Sequence, residues 1–160
     1  MTPDECRAVF RHLASGVTVV TTFHEGKIFG MTATSFTSVS IDPILVQVSL
    51  SKDARTHDAV RDAGTFAANI LASHQETVAR DFATPKLDRE TIARTHAGEM
   101  GLPLIDGAAG YFECRVTNTM EGGDHTIFLA EVFHGGTEDR PPLVYFDGGY
   151  TTLDQTKGTQ

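Results

Sequence analysis

The chain has 160 residues, enough for one domain with a substantial core, and its 40% hydrophobic and 8% aromatic content is that of a folded globule. Thirteen basic against twenty-one acidic residues leave a formal net charge of −8, which argues against a large nucleic-acid or anionic-membrane surface but leaves room for a local basic pocket. Only Cys6 and Cys114 are present, so neither a CxxC pair nor a multi-cysteine zinc site can be built, and no apolar run approaches the roughly 18 residues of a membrane-spanning helix. A cytoplasmic protein is expected.

Thr2 supplies an N-cap, Pro3 suits a first helical turn, and Asp4 and Glu5 favour the positive end of a helix; Cys6, Val9, Phe10 and Leu13 follow at helical spacing. A first helix ending near Gly16 is expected. Residues 17–23 are rich in β-branched side chains, and after His24-Glu25-Gly26-Lys27 the chain resumes with Ile28-Phe29-Gly30, the pattern of a hairpin. Strands are expected over 31–36 and 44–50, with Asp42-Pro43 as the break between them.

Residues 51–57 form a charged turn, after which Ala59, Val60 and Ala63 suit a short helix closed by Gly64, and 66–71 a buried strand. Ser73 is expected to cap a further helix through a Ser-x-x-Glu box with Glu76, its apolar stripe being Val78, Ala79 and Phe82. The polar stretch 84–102 reads as an excursion or lid. Three more strand-like runs, 110–120, 126–134 and 142–146, are separated by glycine-rich turns. The sum is a mainly β chain of six or seven strands with two or three short helices, and closure into a barrel would remove exposed edges. One domain is expected over 1–153, followed by a polar tail at 154–160.

The chemistry-bearing motifs begin with absences. No GxGxxG or GxxxxGK[ST] loop is available for phosphate, no HxH or HExxH spacing for a metal, and no GxSxG elbow for a hydrolase. The run 30–40, Gly-Met-Thr-Ala-Thr-Ser-Phe-Thr-Ser-Val-Ser, carries no charge over eleven residues and can form a neutral wall of hydroxyls and amides, of the kind a flavin ring and ribityl chain require. The same residues also suit an ordinary strand and turn. In 51–56, Ser-Lys-Asp-Ala-Arg-Thr, a cation, a hydroxyl and the amides of the following helix could converge on an anion, or could form a solvated charged turn.

Taken together, residues 10–22 (Phe-Arg-His-Leu-Ala-Ser-Gly-Val-Thr-Val-Val-Thr-Thr), the neutral wall, and Gly123-Asp124-His125-Thr126 with the apolar strand behind it resemble the flavin reductase family with the FMN-binding split-barrel fold, over about 10–150. The resemblance implies that Thr32, Ala33, Thr34, Ser35, Ser49, Ser51 and Thr56 meet the flavin, with Lys52 and Arg55 as further candidates. It also places Arg80 beside a phosphate, and Phe82 either there or in the core. The histidine of the Gly-Asp-His motif, His125, is implied to bind the nicotinamide donor, and Tyr150 to lie near the active site or to pack. The remaining histidines, His12, His24, His57, His74, His96 and His134, read as surface or packing residues.

By the same resemblance the chain is expected to be an NAD(P)H:flavin oxidoreductase, passing a hydride from NADH or NADPH to FMN or FAD across a near-attack distance of about 3 to 3.5 Å. A flavin-dependent monooxygenase as partner and a homodimer are implied too. The alternatives are an FMN-binding electron-transfer or storage protein, and a split-barrel FMN enzyme acting on another substrate.

Overall fold

The computed structural model describes residues 1–84 and 94–153. After a capped helix α1 (Pro3–Phe10) and a two-residue strand β1 (Ser15–Gly16), the β-branched run forms β2 (Thr18–His24) and β3 (Lys27–Ala33). Glu25 and Gly26 both take positive φ, 48° and 76°, the left-handed pair of a tight two-residue hairpin turn. Then follow β4 (Thr37–Ile41), β5 (Ile44–Ser51), α2 (Arg55–Ala63), β6 (Thr65–Ile70) and α3 (Glu76–Ala83). The second half holds β7 (Thr95–Ala97), β8 (Pro103–Ile105), the long hairpin β9 (Gly110–Gly122) and β10 (His125–Thr137), and finally β11 (Leu143–Phe146) and β12 (Gly149–Thr152).

Seven strands form one antiparallel sheet in the order β3-β2-β6-β9-β10-β5-β4; β1, β11 and β12 make a second sheet, and β7 pairs with β8. The large sheet curls so that β3 comes against β5. Inside the curl lie Val20, Ala33, Val46, Val48, Leu50, Phe66, Ala68, Cys114, Phe128 and Ala130, and Val60 of α2 completes this cluster. Each fully buried Phe here contributes about 1.5–3 kcal/mol relative to exposure. A second cluster, with Val17, Val19, Leu71, Ala79, Phe82, Ile105 and Leu143, fixes α3 against the opposite side of β2.

Several expectations are met: the β2–β3 hairpin, the break at Asp42-Pro43, and α2 closed by Gly64 at φ 69°. Others need correction. The first helix stops at Phe10, and none of its residues is buried, so its apolar positions face outward in this chain. The strand read over 31–36 ends at Ala33, and a separate strand, β4, begins at Thr37. Ser73 caps nothing. Gln75 stands at the N-cap with no side-chain cap bond, because its Oε1 accepts from Ala72 N (2.9 Å) and its Nε2 donates to Asp106 O (2.9 Å).

Thr151 and Thr152 belong to β12, and of the small β7–β8 ladder β7 lies within the excursion while β8 directly follows it. Twelve strands are thus present among the described residues, the additional ones being short pairs outside the large sheet together with β4. The tail at 154–160 and the middle of the excursion, 85–93, lie outside the described residues.

Candidate active site

Strand alternation builds the first part of the site. Along β5, Val46, Val48 and Leu50 point into the core, so Gln47, Ser49 and Ser51 face outward. In β10, Thr126, Phe128 and Ala130 are buried and His125, Ile127 and Leu129 face out. The antiparallel register sets Ser51 opposite His125 and Ser49 opposite Ile127. Ser35 joins this face from the link between β3 and β4: its Oγ donates to Ser49 O (2.9 Å) and accepts from Ser49 N (3.2 Å). The result is a continuous surface of short hydroxyls ending at one imidazole.

The turn that carries His125 is clamped from the end of β5. Lys52 N donates to Asp124 O (3.0 Å), Lys52 Nζ donates to Gly123 O (2.8 Å), and the same ammonium pairs with Glu121. Lys52 therefore holds the carboxyl of Glu121 below its ordinary range. His125 Nδ1 lies 2.8 Å from Asp124 Oδ1, and this hydrogen bond, with the histidine's charge, lowers the Asp124 carboxyl. An ionised carboxylate only accepts, so Nδ1 carries the hydrogen and Nε2 is left to face whatever occupies the surface.

A second group forms on the other side of the 30–40 wall. Thr32 Oγ1 donates to Ala79 O in α3 (2.7 Å), which places Arg80 and the following residues beside the wall. Arg80 bonds Glu76 Oε1 through Nε and Nη2 (2.8 and 2.6 Å) and lies over the ring of Tyr150, 5.0 Å from its centroid. Tyr150 meets Tyr145 edge-on at 5.4 Å. Arg80, Tyr145 and Tyr150, with Ala83, Thr84, Gly148 and Gly149, line a cleft of about 460 Å³. Burial pushes the Tyr150 phenol up, so it remains a hydrogen-bond donor at neutral pH.

The candidate residues thus fall into distinct environments. Ser35, Ser49, Ser51 and His125 share one face, with Thr34 exposed beside it, while Thr32, Arg80 and Tyr150 lie together on the other side. Arg55, exposed at the first position of α2, has no ion pair among the described residues, whereas Lys52 is engaged with Glu121. The side chains of Ala33 and Thr56 are buried, so only their backbone can meet a ligand.

Of the two readings of Phe82, the core one holds: it is 1% exposed, and a Cβ on Gly30 would stand 2.6 Å from its ring. Asp124, which holds His125, stands in the Gly-Asp-His motif, whereas Glu121, which holds Lys52, has no local signal in the sequence. No cluster of metal-ligating side chains occurs, and no helix is long and apolar enough to cross a membrane, among the described residues.

Residues 10–154 match the family model described as flavin reductase like domain. The chain belongs to this family. Its flavin reductase-like domain is 40% identical over 151 residues to a Rhizobium meliloti protein named "Probable flavin reductase", covering 94% of this chain and 49% of that protein. The chain thus spans about half the length of that relative. It is 40% identical over 146 residues to the reductase component of 4-nitrophenol 4-monooxygenase/4-nitrocatechol 2-monooxygenase of Rhodococcus opacus, covering 91% and 78% of the two chains. The fold of the flavin reductase-like domain superposes with a TM-score of 0.92 on the NADH:FAD oxidoreductase of Streptomyces globisporus, solved in complex with NAD and FAD fragments, at 38% identity over 97% and 94% of the two chains.

Proposed function

We propose that this flavin reductase-like domain is an NAD(P)H:flavin oxidoreductase that uses FMN or FAD and supplies reduced flavin to a monooxygenase. The observation that carries the reading is the contiguity of Ser35, Ser49 and Ser51 with His125 on one outward face. The donor set fits a flavin: short hydroxyls and strand amides for a neutral ring and ribityl chain, and Arg55 with the first amides of α2 for a phosphate. The similarity to a protein solved with NAD and FAD fragments and to the reductase component of a monooxygenase supports the same assignment.

When bound, the flavin supplies the acceptor for a hydride from the nicotinamide. The chain's own part is to bind and orient. Ser49 and Ser51, fixed by the β5–β10 ladder, offer hydroxyls without rotational freedom of the strand. His125, with its Nδ1 hydrogen committed to Asp124, presents Nε2 to the donor and orients it; no proton transfer by His125 is required. Arg80 and Tyr150 form a planar cation and ring pair able to flank the nucleotide part of either ligand.

The remaining expectations join the same proposal. The exposed apolar residues Val39, Ile41, Ile44, Met120 and Phe133 on β4, β5, β9 and β10 support a homodimer, which light scattering in solution would reveal as twice the chain mass. Unpaired Cys6 and Cys114, the latter with its thiol pushed to about 12 by burial, support a reducing, cytoplasmic location. A single domain over 1–153 accords with β12 packing against β11, and Tyr150 against the second core cluster.

The deciding experiment is anaerobic oxidation of NADH and NADPH with FMN, FAD or riboflavin, followed by loss of nicotinamide absorbance. Turnover that requires flavin and yields free reduced flavin is expected. Flavin binding without donor oxidation would instead favour the storage alternative, and no flavin binding would remove the site altogether.

A further inference from the structure

Immediately behind the outward face lies a second, inward connection between the same two elements. His57, in the first turn of α2, is 6% exposed, and Thr126, the residue after His125 in β10, is 7% exposed. His57 Nε2 and Thr126 Oγ1 are 2.9 Å apart. Among the described residues this is the only side-chain hydrogen bond between α2 and β10. His57 Nδ1 lies 3.0 Å from Asp58 Oδ1, which also accepts from Arg61 Nη1 (2.8 Å), and the imidazole edge meets the Phe128 ring at 5.4 Å.

With Asp58 accepting from Nδ1–H, Nε2 can accept from the Thr126 hydroxyl. Leucine at 57 together with valine at 126 would fill comparable space without desolvating a polar pair. What the polar pair adds is direction. It ties the turn that carries Arg55 and Thr56 to the residue next to His125, while Lys52 clamps the β9–β10 turn before His125 through Gly123, Asp124 and Glu121.

We propose that His57 and Thr126 are positioning residues that fix the donor-binding orientation of His125 relative to the start of α2. This rests on the reading that His125 meets the nicotinamide donor. Both side chains are buried behind the outward face. Because β10 alternates, anchoring Thr126 inward fixes how far His125 stands out of the sheet on the other side.

The test uses the whole chain and compares Thr126→Val and His57→Leu with Thr126→Ser and His57→Gln, which retain a hydrogen-bonding group, and with His125→Ala alone and combined with Thr126→Val. Thr126→Val and His57→Leu are expected to raise KM for NADH about fivefold, the equivalent of one neutral hydrogen bond, with kcat and flavin Kd changed less than twofold. Thr126→Ser and His57→Gln should return KM to within twofold of the parent. In the His125→Ala background, Thr126→Val should add no further increase.

An unchanged KM in a folded Thr126→Val protein, or an increase fully additive with that of His125→Ala, overturns the proposal while leaving the His125 reading in place. If His125→Ala itself leaves KM unchanged, the reading of His125 fails, and the proposal with it. Should His57→Leu not fold, Thr126→Val decides alone, since it removes only the hydroxyl at constant shape.

Discussion

The Ser35 hydroxyl donates to the carbonyl of Ser49 and accepts from the amide of the same residue, at 2.9 and 3.2 Å. The β4–β5 ladder ends at the Thr37↔Gln47 pair, so the β4-facing edge of β5 has no strand partner at Ser49. A single side chain takes the place of the missing strand and satisfies both backbone groups.

Ser35→Ala should therefore act through Ser49 as much as through a direct ligand contact. Loss of the two bonds is expected to lower stability by about 1–2 kcal/mol in denaturant titrations and to weaken flavin binding about tenfold. Ser35→Thr keeps the hydroxyl and should retain most of both. An alanine variant with parental stability and parental flavin affinity would show that the link does not shape the surface.

Arg55 and Lys52 carry the same charge but stand in different situations. Lys52 is held by Glu121 and the Gly123 carbonyl, whereas Arg55, at the start of α2, has no ion pair among the described residues. Removing the Arg55 charge should cost phosphate affinity, so Arg55→Met is expected to raise the Kd for FMN about tenfold and that for riboflavin less than twofold. Lys52→Met should instead raise KM for NADH, because its clamp sets the turn before His125. Titrations with FMN and riboflavin, run beside NADH kinetics, separate the two outcomes.

The Lys52–Glu121 pair also gives a pH signature. The ammonium depresses the carboxyl below its ordinary value of 4.5 in the folded state. A depressed folded-state value means stabilisation that is present above the unfolded value and is lost as pH falls through the folded one. Glu121→Gln should accordingly lower Tm slightly at neutral pH and have no effect well below pH 4, where the wild-type carboxyl is protonated too. The shift will be small, because the glutamate is exposed and salt screens the pair. A Tm difference that persists unchanged into acid would exclude the pair as its source.

Gly30 leaves room for the Phe82 ring; an added Cβ would stand 2.6 and 2.9 Å from its Cε1 and Cδ1. Gly30→Ala should destabilise by about 1–3 kcal/mol, and Phe82→Leu in the same chain should relieve part of that cost. Thermal melts of the two single variants and the double variant give the comparison. Strict additivity would show that the two positions do not contact one another.

What was legible in the sequence followed from short-range chemistry. The alternation Ile44 to Ser51 announces a strand with one apolar face, and Gly64 announces a left-handed helix end, because each rests on the residues themselves. Ser73 with Glu76 misled for the opposite reason. Gln75 finds its partners at Ala72 and at Asp106, thirty-one residues on, and that second partner sets the helix start without any local sign. Phe82 reads the same whether it faces a ligand or Gly30. Lys52 looks like an anion-binding cation until Glu121, sixty-nine residues away, is folded against it. The hydroxyl face was visible as a composition of residues, but its junction with His125 depends on the register between β5 and β10.

That register has a consequence for how the site comes into being. A slip of one residue in β5 would turn Val46, Val48 and Leu50 outward and bury Ser49 and Ser51, so the surface for the ligand and the packing of the barrel share a single pairing. No partly assembled chain can offer the serines while the interior remains unformed. Amide protons of 46–50 should then exchange only through global opening, and a ligand on this face should protect every strand of the large sheet alike instead of quieting a local loop.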